Sequence, residues 1–293
     1  MVGRRSPSSP LIFLHIPKTG GTTLNNILNR CYRPETRFQI YQEKDWENIC
    51  QLPDQERAKI KLIQGHINFG LHPKIARSAT YLTLLRHPID RLISHYYYVL
   101  NKPNHHLYSV ILEKRIPLED YAFNTLALEL DNGQTRMLSG ADNTPSSIPF
   151  GSCNEKMWEQ AKQNLNSKSF VFGLTEEFDQ SLLLFQKKFK WSQIFYAKQN
   201  VTQLRPSQQD IPSTVLKALQ KHNELDMELY THAQKRFQEI LEEEEVLSKV
   251  KLETFQFFNH WFYCQGYLPI KRFSIRTKIG LKEIVRRNLF TNA

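Results

Sequence analysis

Short apolar runs alternate with helical periodicities along the first two hundred residues of the chain. Residues 11–16 are apolar apart from His15, the pattern of a strand buried on both faces. Leu24, Ile27, Leu28 and Cys31 follow at i, i+3, i+4 and i+7, which is one face of a helix. Residues 36–41, 60–64 and 80–85 predict three further strands. Pro88 suits the first position of the next helix, whose core face is Leu92, Ile93, Tyr96 and Leu100, with Arg91, Ser94 and Tyr98 sharing another face. A helix around residues 118–130 comes next, then a loop rich in Gly, Pro, Ser and Asn over 139–151 and a helix over 155–165. Residues 170–174 predict a strand, and Thr175, Glu176 and Glu177 cap a helix running to about 189. Residues 194–196 read as the last core strand. Beyond Pro206 the pattern is helical, with Leu225, Leu229, Ala233, Phe237 and Leu241 in register, a solvated acidic run over 242–245, and aromatics over 255–267 expected to bury against the sheet.

Composition narrows the class of protein. With 293 residues, 40% of them hydrophobic and 12% aromatic, the chain supports a sizeable core. No internal repeat or linker separates independent units, so the expected organisation is a flexible N-terminus over 1–10, a single α/β domain over 11–269 and a basic tail over 270–293. The formal charge of +10 suits an anionic ligand. Lys271, Arg272, Arg276, Lys278, Lys282, Arg286 and Arg287 stand in the tail against Glu283 alone, which places +6 of the +10 there. Ile275, Ile279, Leu281, Ile284, Val285 and Leu289 interleave with these charges, a pattern that fits peripheral membrane contact through 271–287. Cys31, Cys50, Cys153 and Cys264 form no C-x-x-C pair, which argues for reduced thiols and against a disulfide scaffold or a zinc site. No apolar run reaches about 18 residues and residues 1–10 lack the apolar centre of a signal peptide, so the expectation is a soluble chain.

Three separated pieces carry chemistry. Between the first strand and first helix stand Lys18, Thr19, Gly20, Gly21, Thr22 and Thr23, where helix N-terminal amides, two glycines and a lysine make an anion cradle. The order differs from G-x-x-x-x-G-K-[ST], since this lysine precedes the glycines. Gly65-His66 stands at the end of the third strand, a functional position in an open α/β sheet. Arg86 ends the fourth strand and Ser94 lies two turns into the next helix, so both can point at one anion. Together with the strand pattern, these pieces predict an α/β fold: a P-loop-like parallel sheet flanked by helices on both faces, with a mainly helical C-terminal part. Gln134-Thr135-Arg136 has no role assignable from sequence.

These pieces resemble the sulfotransferases that use 3′-phosphoadenosine 5′-phosphosulfate (PAPS), and look most like the heparan and uronyl 2-O-type carbohydrate branch in a soluble, bacterial-type form. The resemblance implies that Lys18, Thr19, Gly20, Gly21, Thr22 and Thr23 hold the 5′-phosphosulfate, that Arg86 and Ser94 hold the 3′-phosphate, and that 3′,5′-ADP is the product. It further implies His66 as the catalytic base, with Lys18 assisting the leaving group, a glycan or other hydroxyl-bearing acceptor, and no metal or nucleic acid. His15, His72, His87 and His95 compete with His66 for the base role. The missing membrane anchor ahead of the first strand points to a cytoplasmic enzyme. Two rival readings use the same residues: a nucleotide-dependent phosphotransferase, and a non-enzymatic basic protein that binds anions through its tail. The acceptor and the oligomeric state are not legible.

Overall fold

The computed structural model describes residues 9–75, 78–123, 125–141, 148–197, 206, 208–245 and 249–267. The basic tail over 270–293, with the membrane contact expected of 271–287, lies outside them. In chain order the elements are β1 (Leu11–Leu14), α1 (Gly21–Cys31), β2 (Arg37–Ile40), α2 (Glu43–Gln51), α3 (Asp54–Arg57), β3 (Leu62–Gly65), β4 (Thr80–Leu85), α4 (Pro88–Leu100), α5 (Tyr108–Glu113), α6 (Leu118–Tyr121), α7 (Gly133–Ser139), α8 (Glu155–Leu165), β5 (Phe170–Leu174), α9 (Phe178–Phe189), α10 (Ser213–His222), α11 (Glu224–Glu243) and α12 (Lys249–Trp261).

The five strands form one parallel sheet in the order β2-β3-β1-β4-β5. Leu11 of β1 sits opposite Leu62 of β3 on one side and Thr80 of β4 on the other. Every residue of β1 and β3 is buried, which requires cover on both faces of the sheet. This is the α/β arrangement expected from the alternating pattern, and α8, α9 and α11 pack against the edge strand β5. A second apolar cluster, containing Ile89, Leu92 and Ile93 of α4, Ile111 of α5, Tyr121 of α6, Leu130 and Leu219 of α10, gathers α4, α5 and α6 with α10.

Three expectations are corrected. Residues 118–130 do not form one helix: α6 stops at Tyr121 and a single 3-10 turn follows at Leu128–Leu130. The cause is His95 of α4, whose Nδ1 lies 2.6 Å from the Tyr121 hydroxyl and whose Nε2 lies 2.6 Å from Glu129 Oε1. On a straight helix those two partners would stand about 12 Å apart along the axis, so the chain folds back to bring both to one imidazole. Residues 194–196 have no regular secondary structure and join no sheet. Their backbone is engaged by side chains instead: Tyr196 N donates to Asn259 Oδ1 at 2.7 Å, and Arg30 donates to the Phe195 carbonyl. Of the aromatics from 255 onwards, Phe255 is buried in the core that also holds the sheet, stacked on Phe195, whereas Phe257, Phe258, Trp261 and Tyr263 face outward.

One buried node ties the helical layer to the strand ends. Asp226 of α11 is fully buried, and its carboxylate accepts from Gln134 N at 3.1 Å and Thr135 N at 2.7 Å, the first turn of α7. The same carboxylate lies 3.7 Å from the guanidinium of Arg91, which is also fully buried and donates to the Glu129 carbonyl at 2.8 Å. A carboxylate at a helix N-terminus satisfies orphan amides and the dipole together. Arg136 turns the other way and is held by Asp131 at 2.6 Å and by the carbonyls of Ile148 and Pro149. Replacing Asp226 by Ala should strand the Arg91 charge in the interior and cost about 3–5 kcal/mol, read as a lower urea midpoint at unchanged slope.

Candidate active site

The strand order brings the three sequence pieces side by side. β1 lies between β3 and β4, so the loop after β1, Gly65-His66 after β3 and Arg86 after β4 end on one edge of the sheet in three adjacent positions. Ligands of open parallel sheets bind at such carboxyl ends.

The loop after β1 is held from within. Lys18 and Gly20 both take left-handed backbone, at φ 70° and 84°. Thr19 is buried and its hydroxyl donates to the Ile16 carbonyl at 2.9 Å, so this side chain closes the loop rather than facing a ligand. The Thr175 hydroxyl, after β5, lies 2.7 Å from the Thr19 carbonyl. Gly21 has to be glycine, because a Cβ there would stand 2.0 Å from the His15 ring. The Thr23 and Leu24 amides close on the Gly20 carbonyl at 3.0 and 3.3 Å, and the positive end of the α1 dipole lies at this loop. Thr22 is exposed and Thr23 buried. The Lys18 ammonium rests 3.8 Å from the centre of the Tyr98 ring, a cation–π contact between the loop and α4 that sequence reasoning did not foresee.

His66 is exposed at the end of β3 and fixed by two bonds. Its amide donates to the Ile40 carbonyl at 3.0 Å, and its Nδ1 lies 2.8 Å from the His15 carbonyl. A carbonyl can only accept, so Nδ1 carries the proton and Nε2 presents the lone pair. The preceding glycine is dictated by β2, since a Cβ on Gly65 would fall 1.8 Å from the Ile40 carbonyl oxygen. The competing histidines are engaged elsewhere. His15 is buried with its ring stacked on Phe13, His72 meets the Tyr81 hydroxyl at 3.1 Å, His87 Nδ1 meets Gln208 at 3.1 Å, and His95 is held between Tyr121 and Glu129.

At the β4 end, Gln134 brackets Arg86 by accepting from its amide at 3.0 Å and donating to its carbonyl at 2.9 Å, as a neighbouring strand would. This is the role of the unassigned Gln134-Thr135 pair: it carries the Asp226 node to the strand end. The Arg86 guanidinium donates to the Lys18 carbonyl at 3.0 Å, linking the end of β4 to the loop after β1. Ser94 is buried on α4, and Arg91 points to the interior.

The electrostatics divide by burial. Burial first, then the electrostatic influence of His66 and Lys18, lower the pKa of His15 to about 3, so its ring is neutral throughout the physiological range. Glu129 runs the other way: burial raises its pKa, but the hydrogen bond and charge of His95 and the charges of Arg91 and His66 outweigh this and hold it at about 2. Tyr121 can donate to His95 Nδ1 while His95 Nε2–H donates to Glu129, a Tyr–His–Glu chain that orients one carboxylate, 32% exposed, toward the basic site. No spacing pattern announces it, because Glu129 and His95 belong to different elements.

The His15 shift has a signed consequence. Its folded pKa lies below the unfolded value near 6.5, so between pH 6.5 and 3 the unfolded chain binds a proton that the folded chain does not. Stability from this group is complete above pH 6.5 and falls as the pH drops, at up to about 1.4 kcal/mol per pH unit. Urea titrations from pH 7 to 5 should show that slope in the parent chain and a flatter one in His15→Asn.

Comparison with known proteins places this geometry. The model of the sulfotransferase family matches residues 4–233. Human heparan-sulfate 6-O-sulfotransferase 2 is 28% identical over 279 residues, covering 78% of this chain and 44% of its own length. The heparin sulfate O-sulfotransferase of Drosophila melanogaster is 26% identical over 259 residues, covering 78% of this chain and 72% of its own. The solved structure of mouse sulfotransferase SULT7A1 complexed with PAP has a TM-score of 0.35 at 13% identity, over 73% of this chain and 63% of that one. The chain thus spans less than half the length of the human relative, and relatives from human and fly lend nothing to a bacterial-type reading. With the family model matched from the residues before β1 into α11, the chain belongs to the sulfotransferase family.

Proposed function

We propose that this chain moves the sulfuryl group of PAPS to a hydroxyl of a heparan-sulfate-type carbohydrate, with His66 as the base. The observation that carries the reading is the fixed tautomer of His66, which presents Nε2 from an exposed strand end beside the Lys18 loop. The residues fit a donor with phosphate at two positions. A glycine-lined cradle, in which Gly21 cannot accept a side chain, lies next to a second cationic arm at Arg86. The amides of Thr19 to Thr23 and the Lys18 ammonium would hold the 5′-phosphosulfate, and Arg86 with Ser94 the 3′-phosphate. When bound, the donor supplies the sulfuryl group and the bridging oxygen that departs with 3′,5′-ADP.

The chain's own groups supply the rest. His66 Nε2 takes the proton of the acceptor hydroxyl, while Nδ1–H stays bonded to the His15 carbonyl and keeps the ring aimed. The ionised Glu129, whose charge interacts with His66, offsets the imidazolium that forms. Lys18 moves from the Tyr98 ring to the developing negative charge, a type of contact worth about 3–4 kcal/mol in well-organised sites. A polyanionic glycan suits a chain of charge +10, and the relatives are named for heparan and heparin sulfate. The motifs resemble a 2-O branch and the human relative is named for the 6-O position; disaccharide analysis of desulfated heparan sulfate labelled by this chain separates the two.

His66→Ala should lose about 10²–10⁴-fold in turnover yet keep its thermal shift with 3′,5′-ADP. Unchanged turnover would remove His66 from the base role. Arg86→Ala should weaken 3′,5′-ADP by about 10–100-fold in calorimetry, and equal affinity would mean that the arginine does not meet the nucleotide. A thermal shift with magnesium and ATP but none with 3′,5′-ADP would favour a phosphotransferase instead.

A further inference from the structure

The turn after α4 carries polar groups that the chemistry above does not use. Its His105 amide donates to the Lys102 carbonyl at 2.8 Å, and Pro103 takes the second position, where its fixed φ suits a turn. Val99 before it and Leu107 after it are buried in the second apolar cluster, so Lys102, His105 and His106 stand on a fixed base. Leu107 N donates to His105 Nδ1 at 3.2 Å, which leaves the proton of the neutral ring on Nε2 as a donor. His106 stacks on His105 with ring centres 4.5 Å apart, and both His106 and Lys102 are exposed.

This turn stands against the reacting groups. The His105 ring centre lies 5.8 Å from that of Tyr98 and 5.9 Å from that of His95. Tyr98 is the ring on which the Lys18 ammonium rests, and Lys102 Nζ lies 5.9 Å from its centre. His95 holds Glu129 at 2.6 Å, so that carboxylate already has a cationic or N–H partner. Burial, then His106 and His95, push the His105 pKa down; Glu129 opposes them and Lys18 adds to them, so both groups lie within electrostatic reach of this ring. The 3′-phosphate arm is elsewhere: Arg86 precedes α4 and the turn follows it, about 20 Å along a helix of this length. An ammonium and imidazole donors beside Lys18 suit anionic oxygens, and a heparan-type glycan carries carboxylate and N-sulfate on positions other than its reacting hydroxyl. Resting on the sulfotransferase reading above, we propose that Lys102, His105 and His106 form an acceptor subsite for an anionic group, carboxylate or N-sulfate, on the sugar next to the one that receives the sulfuryl group.

The test is calorimetry of the full chain, saturated with 3′,5′-ADP and titrated with an O-desulfated, N-sulfated heparan hexasaccharide. Lys102→Gln/His106→Gln should bind this probe about 10–100-fold more weakly than the parent, the loss expected for charge-assisted hydrogen bonds, while Lys102→Arg keeps the parent affinity. Both side chains are exposed, so the double variant should melt at the parent temperature and hold 3′,5′-ADP as the parent does. In turnover its KM should rise by the same factor with little change in kcat. An N-acetylated hexasaccharide offers carboxylates alone and a carboxyl-reduced, N-sulfated one sulfates alone, and the penalty follows whichever group the subsite holds. No binding of the N-sulfated probe by the parent, equal binding by parent and double variant, an equal loss with an uncharged hexasaccharide, or weakened 3′,5′-ADP binding would each overturn the subsite. Probe binding that the double variant weakens, in a parent chain that transfers no sulfuryl group, would instead refute the transfer reading and support the subsite.

Discussion

The buried Asp226 carboxylate is the constraint from which the site inherits its shape. A charge with no access to water needs partners on every side, and Asp226 finds them in two α7 amides and the Arg91 guanidinium. That requirement locks α11, α7 and α4 together. Because Gln134 opens α7 and clasps both backbone groups of Arg86, the position of the strand end is set by a residue of α11 well over a hundred positions away. Arg86 in turn bonds the Lys18 carbonyl, so the loop after β1 is tied into the same system.

Around this frame the site separates groups that must stay neutral from groups that must carry charge. His15 is buried and neutral, and contributes a stacked ring and a carbonyl that orients its neighbour. His66 stands one strand over and is exposed, with Nδ1 bonded to that carbonyl. Lys18 and Arg86 supply the positive field suited to phosphate, and Glu129, held by the His95–Tyr121 chain, places one negative charge opposite. The same residue types scattered over a surface would have ordinary titration behaviour; burial and hydrogen bonding separate their roles. The outward aromatics of α12 obey the opposite logic, since nothing in the sheet core requires them.

Local patterns in the chain were enough for the strands, most helices and the three pieces of the site. Short apolar runs read as strands with both faces covered, and β4, α8 and β5 begin and end where the pattern does, although the same reading failed for 194–196. Glycines beside a lysine, and a glycine before a histidine, were legible because backbone strain and close approach leave few alternatives, as Gly21 under His15 and Gly65 against Ile40 show. Tertiary structure alone decided what depends on contacts between distant residues. It placed β1 between β3 and β4, so that motifs met in the order 1, 3, 4 along the chain stand in the order 3, 1, 4 in space. It broke the 118–130 helix to satisfy both nitrogens of His95, used Gln134 as a substitute strand, and chose Nε2 of His66 as the exposed nitrogen through a carbonyl fifty-one residues earlier. Periodicity reports which side of an element faces the core; it carries no information about which buried donor meets which acceptor, and those pairings are what turn three motifs into one site.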